Sequence, residues 1–259
     1  MTAEMPHPAA ALDGRVVVVT GGNGGIGLAI AEACARAGAS VAVWATNPEK
    51  NAAALERLAS MGSRAMAQRC DVRSEEQVDA ALDRTVEELG RVDTLFANAG
   101  IKPVTPFLDM SLDEWRHVMA VNLDGAFLTM RAAARHMVAR GGGGALVAVS
   151  SVAAFDGSPG MEHYAATKAG VLALVRSVAV ELARHGVRCN ALVPGFVETE
   201  MTADWRRDER MMAATTRRTP VRRWAEPVDI GPAAVFLADP DYRFHTGANL
   251  VVDGGYSVA

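Results

Sequence analysis

At 259 residues, half of them hydrophobic and 22% charged, the chain has enough apolar material for a sizeable core in one large α/β domain. Its net charge of −4 argues against a nucleic-acid-binding surface, and no apolar run approaches the ~18 residues of a membrane span. Cys34, Cys70 and Cys189 are odd in number and lack metal-ligand spacing, so they read as reduced core thiols and no metal site is expected.

Met1–Asp13 has neither Lys nor Arg and no apolar h-region. No secretory leader is therefore expected, and a cytoplasmic location is the natural reading. These residues read as a flexible tail before a single domain at 14–259. Arg15–Thr20 contains four consecutive valines, the pattern of a strand buried on both faces in a parallel sheet. Thr20-Gly21-Gly22-Asn23-Gly24-Gly25-Ile26-Gly27 follows, then an amphipathic helix to about Ala37. Glycines permit a tight turn and close approach of a pyrophosphate, which the free N–H groups of the helix N-terminus attract. The strand before and the helix after give the glycine pattern its meaning.

Ser40–Trp44 reads as a second strand, and Asn47-Pro48 opens a helix with Asn as N-cap and Pro at the first position. Ala65–Arg69 is a third strand, running into Cys70-Asp71-Val72, and Ser74-Glu75-Glu76-Gln77 caps a helix to Leu89. Thr94–Ala97 is a fourth strand, closed by Asn98-Ala99-Gly100. Ser111-Leu112-Asp113-Glu114 caps a helix that runs through Asn122 to about Arg140. A fifth strand, Ala145–Ser150, precedes the long helix that begins near Tyr164 and ends near Arg184. Arg188–Val193 is a sixth strand, Glu226–Ala238 a last helix and Asn249–Val252 a seventh strand. This alternation predicts a doubly wound, mostly parallel seven-stranded sheet. Gly21–Gly27, Asn98–Gly100, Ser151 and Pro194–Gly195 all fall at carboxyl ends of strands, where such folds bind ligands.

Tyr164 and Lys168 are four apart, so on a helix they share a face. Both titrate near pH 10 when free. A fixed ammonium beside the phenol is expected to lower its pKa and to make it a usable proton donor and acceptor. His163 points elsewhere on the helix and is expected to flank the substrate mouth rather than to act in catalysis.

Taken with Ser151 and Asn122, these motifs make the chain resemble the short-chain dehydrogenase/reductase family from Arg15 to Gly255. The resemblance rests on T-G-x-x-x-G-x-G at Thr20–Gly27, Asp71, N-A-G at Asn98–Gly100, Asn122, Ser151, Y-x-x-x-K at Tyr164–Lys168, and Pro194-Gly195 with Thr199 beyond. It implies a Rossmann fold and hydride transfer between a nicotinamide cofactor and a small-molecule carbonyl or secondary alcohol. Carried onto this chain, Tyr164 gives or takes the hydroxyl proton, and Lys168 holds the nicotinamide ribose. Ser151 rather than Ser150 bonds the substrate oxygen. Asn122 interrupts its helix and holds a water on the relay to Lys168. Thr20, Gly21, Asn23, Gly25, Ile26 and Gly27 serve the pyrophosphate turn. Asp71 and Val72 contact adenine, Asn98, Ala99 and Gly100 the adenine-ribose region, and Pro194, Gly195, Val197 and Thr199 the nicotinamide amide. A homotetramer with paired helices at a two-fold interface is implied as well; small or apolar residues such as Ala126, Ala132, Leu174 and Val178 occupy more than one helix face.

Phe196–Thr219 is poor in strand signal and is expected to form a mobile lid, with the lid proper at about 196–219. Its Met201, Trp205, Met211 and Met212 suit an apolar or amphipathic substrate. The arginines between Arg206 and Arg223 read either as a solvated helical face or as capture of an anionic thioester carrier. The substrates implied are 3-oxoacyl thioesters or sugars and polyols. The competing reading, a nucleotide-binding regulator without turnover, is disfavoured because all four catalytic positions are filled. Where NAD-selecting folds place an acid at the end of the second strand, this chain has Ala45, followed by Thr46 and Asn47 as hydrogen-bond donors and by Lys50. NADP(H) is therefore favoured, with NAD(H) able to use the same pyrophosphate site.

Overall fold

The computed structural model describes residues 11–259. Its strands are β1 (Val16–Thr20), β2 (Ser40–Ala45), β3 (Ala65–Arg69), β4 (Thr94–Ala97), β5 (Gly144–Val149), β6 (Val187–Pro194) and β7 (Asn249–Val252). They form one sheet in the order β3-β2-β1-β4-β5-β6-β7, and every pairing is parallel. The chain winds outward one way from β1 and the other way from β4. The gap between these two strands is the switch point at which such sheets open a ligand crevice.

The helices are α1 (Gly25–Arg36), α2 (Pro48–Ser60), α3 (Glu75–Leu89), α4 (Leu112–Met119), α5 (Gly125–Arg140), α6 (Glu162–Leu182), α7 (Ala203–Arg207), α8 (Glu209–Arg218) and α9 (Gly231–Ala238). The valine run of β1 shows why both faces must be apolar. Alternate strand residues point to opposite sides. Val16 and Val18 accordingly join the core with Met130, Val171 and Val175, while Val17 and Val19 join Ile30, Ile230 and Leu237 on the other side. The N-caps read from the sequence are all made: Lys50 N donates to Asn47 at 2.8 Å, Gln77 N to Ser74 at 3.3 Å and Glu114 N to Ser111 at 3.1 Å. The returning half of the two expected capping boxes is replaced, Gln77 accepting from Asp71 N and Glu114 from Thr105.

The structure adds to expectation or departs from it in four places. Residues 1–10 of the expected tail lie outside the described residues, but Leu12 is fully buried and its N–H donates to Ala37 O at 2.9 Å. The helix read from Ser111 to Arg140 is interrupted at Asn122, as the resemblance implies, and the interruption is a π turn, Ala120–Asp124, between α4 and α5. The widened turn, a form found mostly at functional sites, carries Asn122, whose amide bonds both backbone groups of Ile101 at 2.9 Å. The helix expected over Glu226–Ala238 begins as a 3₁₀ turn, Pro227–Ile230. Pro232 has no N–H to give an α-helical bond four residues back. Within the lid segment, Asp208 accepts from Arg210 N and Met211 N at 2.9 and 3.1 Å. That cap starts α8, and the segment is helical, in keeping with its lack of strand signal.

Candidate active site

A cleft of about 380 Å³ lies at the carboxyl ends of the central strands, over the switch point. Its floor is the glycine turn. Gly21 (φ +62) and Gly25 (φ +51) adopt left-handed backbone that L side chains rarely adopt. A Cβ on Gly27 would overlap the Gly21 carbonyl and the Asn98 amide. Thr20 and Asn98 hold this turn: Thr20 Oγ1 accepts from Asn98 N and Ala99 N, both at 2.9 Å, and Asn98 Nδ2 donates to Thr20 O at 2.8 Å. Gly24 caps α1 without a side chain, and the first turn of α1 carries no acid. Its free N–H groups and positive dipole end therefore suit an anion. Thr199 closes over the turn, its methyl 3.2 Å from where a Gly25 Cβ would stand. A closely approached turn with undirected donors above it fits the pyrophosphate of a dinucleotide.

At the adenosine end β2 finishes without a carboxylate. Asn47 spends its side-chain oxygen on the α2 cap, and Asn23 Nδ2 donates to Asn51 at 2.8 Å. Lys50 lines the cleft and pairs with Glu200 at 2.5 Å, a partner sequence reading missed because it lies 150 residues away. Asp71 is bonded to Arg73, which holds its carboxyl below the usual carboxylate range. Val72 is buried against Gly125. Of the residues expected at the cofactor, Thr20, Thr46, Asn47, Asp71 and Val72 do not line the cleft, whereas Gly21, Asn23, Gly25, Ile26, Gly27, Asn98, Ala99, Gly100, Pro194, Gly195, Val197 and Thr199 do.

Ser151, Tyr164 and Lys168 meet on its wall. Ser151 follows β5 and caps the 3₁₀ turn Val152–Ala154, accepting from Ala153 N at 3.2 Å. Ser150 turns the other way and donates to Lys168 O at 2.9 Å. Lys168 Nζ donates to Val149 O at 2.8 Å and lies 5.5 Å from the Tyr164 ring centroid. A Cβ on Gly100 would stand 3.3 Å from Asn122 Oδ1 and 3.7 Å from Lys168 Nζ, so the two groups converge on one point. The Asn122 amide is nevertheless committed to Ile101 and Thr167.

Burial draws the Lys168 ammonium down to about 8. Burial pushes the Tyr164 phenol above its ordinary value, and the Ser151 hydroxyl opposes this only in part. The expectation that Lys168 lowers the phenol's pKa is thus not met in the protein alone: burial and the Ser151 hydroxyl are what act on the phenol, and the Lys168 ammonium is bonded to Val149 O. Tyr164 is a protonated phenol at neutral pH, poised as an acid.

His163 does not flank the mouth. It is fully buried; its Nδ1 accepts from Tyr164 N at 2.8 Å and its Nε2 stands 3.1 Å from Glu114 Oε1. Since Nδ1 accepts, the proton sits on Nε2 and is donated to Glu114. Glu114 also accepts from Thr105 at 2.6 Å. This chain of bonds ties the start of α6 to α4. Glu114 reads from sequence only as part of a capping box, so nothing there signals the link.

The far end of the cleft is lined by Lys102, Asp156, Met161, Phe196, Trp205 and Tyr256. Phe196 packs on Trp205, Trp224 and Tyr256 at centroid distances of 6.0, 5.0 and 5.0 Å. None of the arginines from Arg206 to Arg223 lines the cleft. Four are paired, Arg206 with Glu198, Arg207 with Asp204, Arg218 with Asp156 and Arg223 with Asp229. The three cysteines are buried and free, and burial pushes each thiol up to about 12.

A family model described as enoyl-(acyl carrier protein) reductase matches residues 21–257. An L-rhamnose 1-dehydrogenase (NAD(P)(+)) of Sphingomonas sp. is 40% identical over 95% of this chain and 98% of its own. A 3-oxoacyl-[acyl-carrier-protein] reductase of Chlamydia pneumoniae is 36% identical over 94% and 97%. The structure of a gluconate 5-dehydrogenase from Burkholderia cenocepacia in complex with NADP and tartrate superposes with a TM-score of 0.92 at 37% identity, covering 97% of this chain and 98% of that one. The chain belongs to the short-chain dehydrogenase/reductase family and is an oxidoreductase of carbonyl and hydroxyl groups that uses NAD(P).

Proposed function

We propose that the substrate is a small sugar, polyol or hydroxy acid rather than a long acyl thioester. The observation that carries this is the far end of the cleft, where polar and charged groups sit among aromatic rings while no lid arginine lines the cleft, Arg218 being spent on Asp156 and Tyr256. Relatives that act on rhamnose and gluconate support it. Tyr164 is the proton donor and acceptor, and Ser151 bonds the substrate oxygen as charge develops. Lys168 orients the ribose of the cofactor, and Asn122 supports Lys168 from the π turn. The bound nicotinamide supplies or takes the hydride. The segment at 196–219 closes the site as a lid. Turnover of L-rhamnose, D-gluconate, polyols and 3-oxoacyl thioesters with both cofactors tests the assignment; activity confined to the thioesters would overturn it. The regulator without turnover finds no support.

The cofactor preference rests on the end of β2. With no carboxylate on β2 and with Lys50 on the cleft wall, where a 2′-phosphate would compete with Glu200 for its ammonium, NADPH should bind about two- to fivefold tighter than NADH, the worth of one exposed ion pair. Fluorescence titration of both reduced cofactors checks this, and tighter NADH binding means the end of β2 has been misread.

We propose a homotetramer in the cytoplasm. Phe127 on α5 and Val180 on α6 are 42% and 83% exposed, apolar surface on the helices expected to pair. Three free thiols agree with a reducing compartment. Among the described residues no helix is long and apolar enough to cross a membrane. Sedimentation equilibrium at micromolar concentration should return about four times the 27.3 kDa chain mass; a monomer refutes the assembly.

A further inference from the structure

Five charged residues line the cleft: Lys50, Lys102, Asp156, Lys168 and Glu200. Four of them are accounted for. Lys50 faces Glu200 at 2.5 Å, and Asp156 faces Arg218 at 3.0 Å. Lys168 is bonded to Val149 O beside Tyr164. Lys102, on the loop after β4, is not balanced. Asp204, the one acid whose charge acts on it, is already bonded to Arg207 at 2.8 Å. Its ammonium sits 2.9 Å from the centroid of the Trp205 ring. An aromatic face returns only part of what an ammonium loses on leaving water. Burial accordingly draws Lys102 down to about 8. Lys168 is taken up at the wall beside Tyr164, so Lys102 is the partly desolvated cation left to complement an anion at the far end of the cleft.

We propose that Lys102 anchors a carboxylate of the substrate, so that the enzyme acts on a hydroxy acid or the corresponding keto acid. The carboxylate lies at Lys102 against Trp205, and the reacting carbon lies between Ser151 and Tyr164. This rests on the polyol-type reading of the site and narrows it to acids. A neutral sugar would leave Lys102 facing a hydroxyl, which cannot return the charge interaction. The competing role for Lys102 is purely structural, a cation–π contact that holds α7 down.

Two matched pairs separate these roles: D-gluconate against D-gluconamide, and cis-4-hydroxycyclohexanecarboxylate against its carboxamide. Dissociation constants are measured by calorimetry in the presence of NADPH, with which an alcohol cannot react. The wild type should bind each acid about 10- to 100-fold tighter than its amide, the usual worth of a charged hydrogen-bonded contact. Lys102→Met should abolish that ratio, and Lys102→Arg should keep most of it. In the wild type the ratio should fall as pH rises through about 8, where Lys102 loses its proton while the carboxylate stays charged. Three results overturn the proposal: no acid preference in the wild type, a preference that survives in Lys102→Met, or no acid binding at ~10 mM. Failure of the polyol reading is seen separately, as absence of turnover on any sugar, polyol or hydroxy acid, while the acid-to-amide ratio is still read from binding.

Discussion

Tyr164→Phe is expected to lower turnover by at least ~10²-fold, the usual worth of a positioned proton donor, or about 2.7 kcal/mol of barrier. The substitution removes one oxygen and keeps the ring. The buried phenol is neutral, and Ser151 is the neighbour that acts on it, so no charged partner is stranded by its loss. The backbone N–H of Tyr164 remains bonded to His163 and the start of α6 stays in place. Affinity for NADPH should change by less than about twofold, because Lys168 and the glycine turn are untouched; this limit allows for ordinary mutational scatter. Steady-state kinetics and a cofactor titration on the same preparation decide the matter. Near-wild-type turnover would remove Tyr164 from the proton-transfer role.

Gly27→Ala is the second large effect. The added methyl has no free space, since it would overlap the Gly21 carbonyl and the Asn98 amide. Both belong to the clamp between β1 and β4, so relief requires opening that clamp. Overpacking against backbone costs about 1–3 kcal/mol. For a chain of this size that lowers Tm by roughly 2–10 °C. NADPH affinity should fall about tenfold or more with it, because the displaced groups line the cleft. Gly24→Ser is the control. Gly24 has extended backbone at the N-cap of α1, and nothing lies within 4 Å of its missing Cβ. Serine is a good N-cap residue, so this variant should melt at or above wild type. Equal behaviour of the two variants would show that the overlap at Gly27 is relieved without cost.

What the sequence disclosed, and what it withheld, follows from the range of the interactions. The two-sided burial of β1 and the caps at Asn47, Ser74 and Ser111 are local, and each could be read from a few neighbouring residues. Ser151, Tyr164 and Lys168 were legible because strand ends converge in this topology, whatever the loops between them do. The Glu114–His163 bond spans 49 residues and the Lys50–Glu200 pair spans 150; no local pattern announces either. The pKa of Tyr164 was misjudged for a similar reason. Adjacency to Lys168 can be read from spacing, but the desolvation that dominates is set by everything packed around the phenol. Lys102 was passed over because a lysine in a loop after N-A-G carries no pattern, and only the assembled cleft brings it to Trp205 and to the role proposed for it.

The three buried cysteines have a practical consequence. With each thiol raised to about 12 and shut away from solvent, the native chain offers almost no thiolate to an alkylating reagent at neutral pH. A single cysteine introduced at the rim, in place of Met201, which is 48% exposed and lines the cleft, would be the sole reactive thiol. One fluorophore could then be placed on the segment at 196–219 without first stripping the native cysteines, and a change in its emission on adding cofactor would test the proposed closure in real time.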